Sequence, residues 1–337
     1  MILYPGILAL LLGSALILLL LIVAAATGVV ILRHWDLSSS AELQLRLERR
    51  TCLVSTLIHY ALGFQALSLL LFVYTVDALH PLFVGAMCAT GTLNAAPLGW
   101  NVLLVKLVSF FLAGLWVVVN HYDQLAEDYP LVKLKYLLLL GLVPLVLLDG
   151  YWQLGYFLGL RPEIITSCCG SLFSSEGSGV GSVMSALPLV PMIWSFYLWS
   201  ALLAVLLLTC LWLKSLLLRG VLALASIIYL LVGIASVISF ISVYYYQLPT
   251  HHCPFDLVQS GYNFIGYPLY LTLFGAAFCS LVPFLLGWLG RYGSLKVLLP
   301  GRERRWLMAA LVFLLGLLVI VSWPLVIGPF TMKPFMS

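Results

Sequence analysis

Four of the seven cysteines, Cys88, Cys168, Cys169 and Cys253, lie in three segments that separate long apolar runs, and three of the six histidines, His80, His251 and His252, lie with them. The first segment runs from Ala78 through His80, Met87 and Cys88 to Asn94. The second holds the adjacent Cys168-Cys169, and the third reads Thr250-His-His-Cys-Pro-Phe-Asp256. Thiolates and imidazoles are soft to borderline ligands, suited to Cu(I) or Zn(II). Thiolates are also the species that exchange disulfides, and protonated His251 and His252 would favour the Cys253 thiolate.

Three chemistries compete for these residues. In the first, Cys88, Cys168, Cys169 and Cys253 are catalytic and pass electrons to or from a quinone or an extracytoplasmic thiol protein. In the second, they bind or transport a soft metal ion together with His80, His251 and His252, with Met87 in support. In the third, the four cysteines form structural disulfides in a non-catalytic subunit of a membrane complex. Adjacent cysteines bridge each other poorly, because a disulfide wants Cα atoms about 5.5–6 Å apart. Cys168 and Cys169 would therefore reach other loops, in pairings the sequence leaves open.

Charged and polar residues inside the apolar runs form a second set. Lys106 is expected about 9 Å below the boundary marked by Trp100, at 1.5 Å per residue, and Asp149 at a similar depth on the next run. Intramembrane charges are costly unless paired or hydrated, so the expectation is an intramembrane Lys106–Asp149 pair able to relay protons. Gln65, Asn94, Asn101, Gln153 and Asn263 are candidates for the same pocket. His59 and His121 lie toward the opposite ends of their runs and are candidate axial ligands of a haem b.

The elements that must position these groups are helices. Of the 337 residues 63% are hydrophobic and 8% charged, against about 25% charged in soluble domains. That excludes a water-soluble enzyme, a nucleic-acid binder and a disordered chain. Apolar runs of about 20 residues predict an all-α polytopic membrane bundle, because backbone polar groups in hydrocarbon must be paired within the segment. Eight spans are expected near 6–32, 53–76, 101–121, 136–158, 186–213, 220–244, 264–288 and 306–328, forming a single transmembrane domain over 1–337. The first run lacks a preceding basic residue and reads as a retained span, not a cleaved signal. Residues 33–52 read as a cytoplasmic amphipathic segment and 159–185 as an outer Ser/Gly-rich loop. The segment from Ala78 to Asn94 is apolar enough to re-enter the membrane.

Basic residues orient the bundle. Of the 16, all but Lys106, Arg161 and Lys333 lie in or beside the connections after spans 1, 3, 5 and 7. Those connections should face the cytoplasm of a bacterial inner membrane, with both termini outside, which puts the cysteine-bearing loops on the outer side. The partners expected are the lipid bilayer, with a thiol protein or membrane-complex subunits on the outer face, and no nucleic acid. The loops after spans 2 and 6 carry similar His/Pro/Phe/Cys clusters, which suggests a four-plus-four internal repeat.

In layout the chain is similar to membrane disulfide-generating enzymes of the DsbB and vitamin K epoxide reductase type. Those also carry two extracytoplasmic cysteine pairs on a helical bundle. Their Cys-x-x-Cys pair corresponds here to Cys253-Pro-Phe-Asp256, with aspartate in the place of the second cysteine. The resemblance implies thiol chemistry linked to a quinone. No P-loop, nucleophile elbow or His-Glu-x-x-His motif occurs.

Overall fold

The computed structural model describes residues 2–36, 42–163, 165–166, 185, 187–299 and 301–328. It is all-helical, with no strand among the described residues. The helices are α1 (Pro5–His34), α2 (Glu42–Ala78), α3 (Ala89–Asn94), α4 (Gly99–Gln124), α5 (Val132–Gly159), α6 (Leu189–Trp212), α7 (Leu216–Tyr246), α8 (Gly266–Leu289), α9 (Leu295–Leu298) and α10 (Arg302–Val326). Among the described residues seven of them, α1, α2, α4, α6, α7, α8 and α10, are long and apolar enough to cross a membrane.

The described residues divide into two compact units. The first is built on α1, α2, α4 and α5. There α1 packs on α2 and α5, and α4 on α2 and α5, closing a four-helix ring. The second is built on α6, α7, α8 and α10, with the segment Gly85–Gly91 belonging to it. Its ring has the same order: α6 packs on α7 and α10, and α8 on α7 and α10.

The burial pattern is that of a protein solvated by lipid. On α1 the buried positions are Ile7, Leu10, Ser14, Ile17, Leu21, Ala24, Gly28 and Ile31, spaced by three and four residues as one helical stripe requires. The other faces carry Leu12, Leu16, Leu19 and Ile22, all exposed. Gly28 lets α5 approach, since a Cβ there would stand 3.0 Å from a ring carbon of Tyr136. Lys106, Asp123, Lys135, Asp149, Gln65 and Gln153 are buried instead. Leucine outside and ionised groups inside suit hydrocarbon and reverse what water selects. This is the arrangement of an integral membrane protein.

Several bounds differ from the sequence expectation. Residues 42–52 are not a separate amphipathic helix but the first turns of α2, which continues unbroken to Ala78. No proline interrupts that stretch, and Leu47 and Thr51 are already buried, so nothing stops the helix at the expected membrane edge. Residues 37–41 of the same segment lie outside the described residues. In the connection after α2, Cys88 to Leu93 is buried throughout and forms the start of α3. Most of the 159–185 loop also lies outside the described residues.

Candidate functional site

The second unit brings two of the four loop cysteines together. Cys88 precedes α3, and Cys253 lies in the loop between α7 and α8. They are 165 residues apart in sequence, yet their Sγ atoms are 3.3 Å apart and both side chains are fully buried. A disulfide is about 2.05 Å long, so the sulfurs are in contact without a bond between them. Cys253 Sγ–H donates to Asp256 Oδ1 at 3.3 Å, and Thr90 Oγ1 lies 3.6 Å from the same sulfur. The second carboxylate oxygen, Oδ2, sits 2.5 Å from His251 Nε2. Cys88, Cys253 and Asp256 offer three ligand atoms within 4.8 Å of one another.

The loop owes its shape to hydrogen bonds onto its own backbone. Helix α7 ends at Gln247, whose φ of 57° turns the chain out of the helix. The Tyr246 hydroxyl then donates to the Cys253 carbonyl at 2.5 Å, and the Tyr270 hydroxyl to the Pro254 carbonyl at 2.6 Å. His252 Nδ1 lies 2.8 Å from the Ile238 carbonyl; a carbonyl only accepts, so this nitrogen carries the hydrogen. Ile238 belongs to a π-helical turn, Val237–Ile241, inside α7. The Gln259 amide donates to the Met87 carbonyl at 3.0 Å, tying the Cys253 loop to the segment that carries Cys88. Asp256 opens a short 3-10 turn, Asp256–Val258, packed on the start of α8.

Gly266 permits that packing. A Cβ there would stand 2.7 Å from Val258 Cγ1 and 2.8 Å from the Leu257 carbonyl carbon. Gly266→Ala should push the turn outward and loosen Asp256 from Cys253. The expected result is faster alkylation of Cys253 by a small maleimide, read by peptide mass spectrometry, with helix content unchanged.

Burial alone would push the Asp256 carboxyl up. Hydrogen bonds from His251, Cys88 and Cys253 outweigh it and hold the carboxyl below its ordinary range. A depressed carboxylate contributes stability above its unfolded value, about 3.9, and loses that contribution as pH falls through the lower folded value. The loop should therefore stay closed at pH 5 and open only in stronger acid. Hydrogen exchange of residues 251–258 across pH 2–6 would check this, and opening already at pH 5 would contradict it.

The remaining sequence candidates fall elsewhere. Cys168 and Cys169 lie outside the described residues. His80 belongs to the first unit, with Nδ1 2.5 Å from the Asp77 carbonyl. Met87 is exposed. His59 lies beside Asn120, with 3.4 Å between His59 Nδ1 and Asn120 Nδ2, and His121 is exposed at the end of α4.

The first unit holds Lys106 and Asp149 as a buried ion pair at 3.0 Å. Gln65 Nε2 donates to the same Asp149 oxygen at 2.6 Å, and Lys106 also donates to Ser68 Oγ. Gln153 donates instead to Ser14 Oγ and the Leu10 carbonyl. Asn94 accepts from Trp100, Asn101 is exposed, and Asn263 belongs to the second unit. A second pair, Lys135–Asp123 at 2.6 Å, is also buried. Asn120 Oδ1 accepts from Lys135, and Asp123 Oδ1 accepts the Leu131 backbone N–H.

Sequence reasoning missed three of these residues in particular. Asp256 stood out only as the wrong residue in a Cys-x-x-Cys frame, although a carboxylate three residues beyond a cysteine is well placed to meet it in a turn. Asp123 and Lys135 read as boundary charges. Comparison with protein-family models, with curated proteins and with solved structures finds no match for this chain.

Proposed function

We propose that this protein is a membrane thiol-redox protein in which Cys88 and Cys253 form a dithiol/disulfide couple served by a lipid-soluble quinone. The observation that carries the reading is the contact of two fully buried sulfurs at 3.3 Å beside the Asp256 carboxylate. The step balances: two thiols and one quinone give one disulfide and one quinol. The dithiol loses two electrons and two protons, and the quinone gains both. Complete burial of the sulfurs favours a small apolar oxidant over direct attack by a folded thiol protein.

The same proposal takes α5 as an eighth span, with both termini outside a bacterial inner membrane. Helix α5 is 28 residues long and mostly leucine and valine between Tyr136 and Leu148. The clustering of Arg and Lys after alternate spans supports the orientation.

The test is anaerobic incubation of the purified, reduced protein with a short-chain ubiquinone. The expected result is quinol formation in equal amount with a Cys88–Cys253 disulfide, mapped by mass spectrometry. A protein that stays reduced under excess quinone overturns the reading. A second reading, a soft-metal site, has its own support in the three ligand atoms within 4.8 Å of one another. It requires stoichiometric copper or zinc in protein purified without chelator, lost in Cys88→Ser.

A further inference from the structure

We propose that the Lys106–Asp149 layer of the first unit is a binding site for a hard monovalent cation, sodium or potassium in class, which enters as Lys106 gives up its proton. The inference is independent of the thiol couple and rests on how the layer's hydrogen bonds are distributed. Asp149 Oδ2 takes two donors, Lys106 Nζ at 3.0 Å and Gln65 Nε2 at 2.6 Å. Asp149 Oδ1 and Gln65 Oε1 take none, although both side chains are 1% exposed. Unsatisfied polar atoms at such depth are costly. Both are acceptors only, so what completes them is a cation or a hydrogen-bond donor.

The donor set fixes the class of ion. Asp149 Oδ1, Asp149 Oδ2, Gln65 Oε1 and Ser68 Oγ are oxygens, the ligands of hard cations and not of soft ones. Charge balance fixes the valence. Lys106 as ammonium and Asp149 as carboxylate are neutral together. Exchange of the Lys106 proton for one monovalent ion keeps the layer neutral, whereas a divalent ion would leave a buried positive charge. In the exchange the Lys106 N–H bond breaks, the electron pair stays on Nζ, and the proton leaves to water. The cation takes the place of the ammonium against the carboxylate.

The layer's surroundings hold no competing charge. Asp149 is the charged group that acts on Lys106, and the neighbours are Gln65 and Ser68 from α2 and the Phe72 ring, 5.8 Å from Nζ. From α1, Ser14 is engaged with Gln153 one turn further along α5. Stability alone explains such a pair poorly, because well-packed apolar residues commonly replace a buried ion pair without loss. Ionisable residues at this depth more often mark ion or proton paths.

The experiment uses the full chain in lipid nanodiscs, with a pH-sensitive dye in weak buffer. Sodium chloride, potassium chloride and choline chloride are added in turn, and radioactive sodium measures binding. The native protein should release about one proton per chain with sodium or potassium, saturably, and none with choline, since one cation replaces one proton at constant charge. Lys106→Met should bind sodium without releasing a proton. Asp149→Asn should lose both signals. Gln65→Leu, which keeps the ion pair, should weaken sodium binding about tenfold, the equivalent of roughly 1.4 kcal/mol for one lost ligand, and it serves if Asp149→Asn does not fold. Equal proton release with choline, no sodium binding, or binding unchanged in Gln65→Leu overturns the proposal; the first two would leave an ordered water as the occupant.

Discussion

Removing Lys106 alone should cost this protein about 3–5 kcal/mol, whereas removing Lys106 and Asp149 together should cost little. The Nζ–Oδ2 distance is 3.0 Å and neither side chain reaches solvent. Lys106→Met leaves a carboxylate in the bundle interior with only the Gln65 amide as donor. Lys106→Met/Asp149→Leu leaves two apolar side chains of comparable size, and the Gln65 amide then loses its acceptor. The measurement is thermal unfolding in one detergent for both single variants, the double variant and the native chain. A double variant as damaged as the singles would mean that packing, not the uncompensated charge, sets the cost. The parallel pair Lys135–Asp123, buried equally, should behave in the same way.

The second large effect concerns the sulfurs. Cys253→Ser or Cys88→Ser should abolish quinone-driven disulfide formation outright, because a single thiol cannot close the couple. Asp256→Asn should be subtler and has a definite sign. The Cys253 thiol donates to the Asp256 carboxylate, a bond that exists only in the dithiol and so stabilises the reduced state. A bond to a charged acceptor exceeds a neutral one by roughly 1–1.5 kcal/mol. Its loss should move the midpoint about 30 mV more negative. Redox titration in glutathione or dithiothreitol buffers measures it. A shift to more positive potential would mean that Asp256 serves the disulfide state instead.

Long helices were legible from the chain because hydrocarbon leaves the backbone no alternative, and Lys106 and Asp149 stood out because charge is so rare in these runs. Antiparallel pairing carried a further clue. Lys106 on α4 meets Asp149 on α5, and Asp123 on α4 meets Lys135 on α5. The two pairs lie roughly 21–26 Å apart along the helices, at 1.5 Å per residue, with charge signs exchanged between the helices. Lys135 could have been matched to Asp123 on that register alone, but a basic residue at a helix start reads first as an orientation signal. The sulfur centre was less legible. No periodicity relates Cys88 to Cys253, and their approach depends on tyrosine hydroxyls, His252 and Gln259 binding backbone carbonyls, contacts that leave no pattern in a sequence. Asp256 shows the same limit from the other side, since a motif frame registers it as a missing cysteine and not as the acceptor it is.

The wide turn at Val237–Ile241 gives α7 a phase that an ordinary α-helix would not have. Deleting Ser239 would let the helix close on i to i+4 bonds and rotate its last turn by about 100°. Tyr246 would swing off the Cys253 carbonyl, and the Ile238 oxygen would turn away from His252. The single surplus residue thus acts as a key for the sulfur centre. A homologue one residue shorter here would retain both cysteines and still be unable to join them.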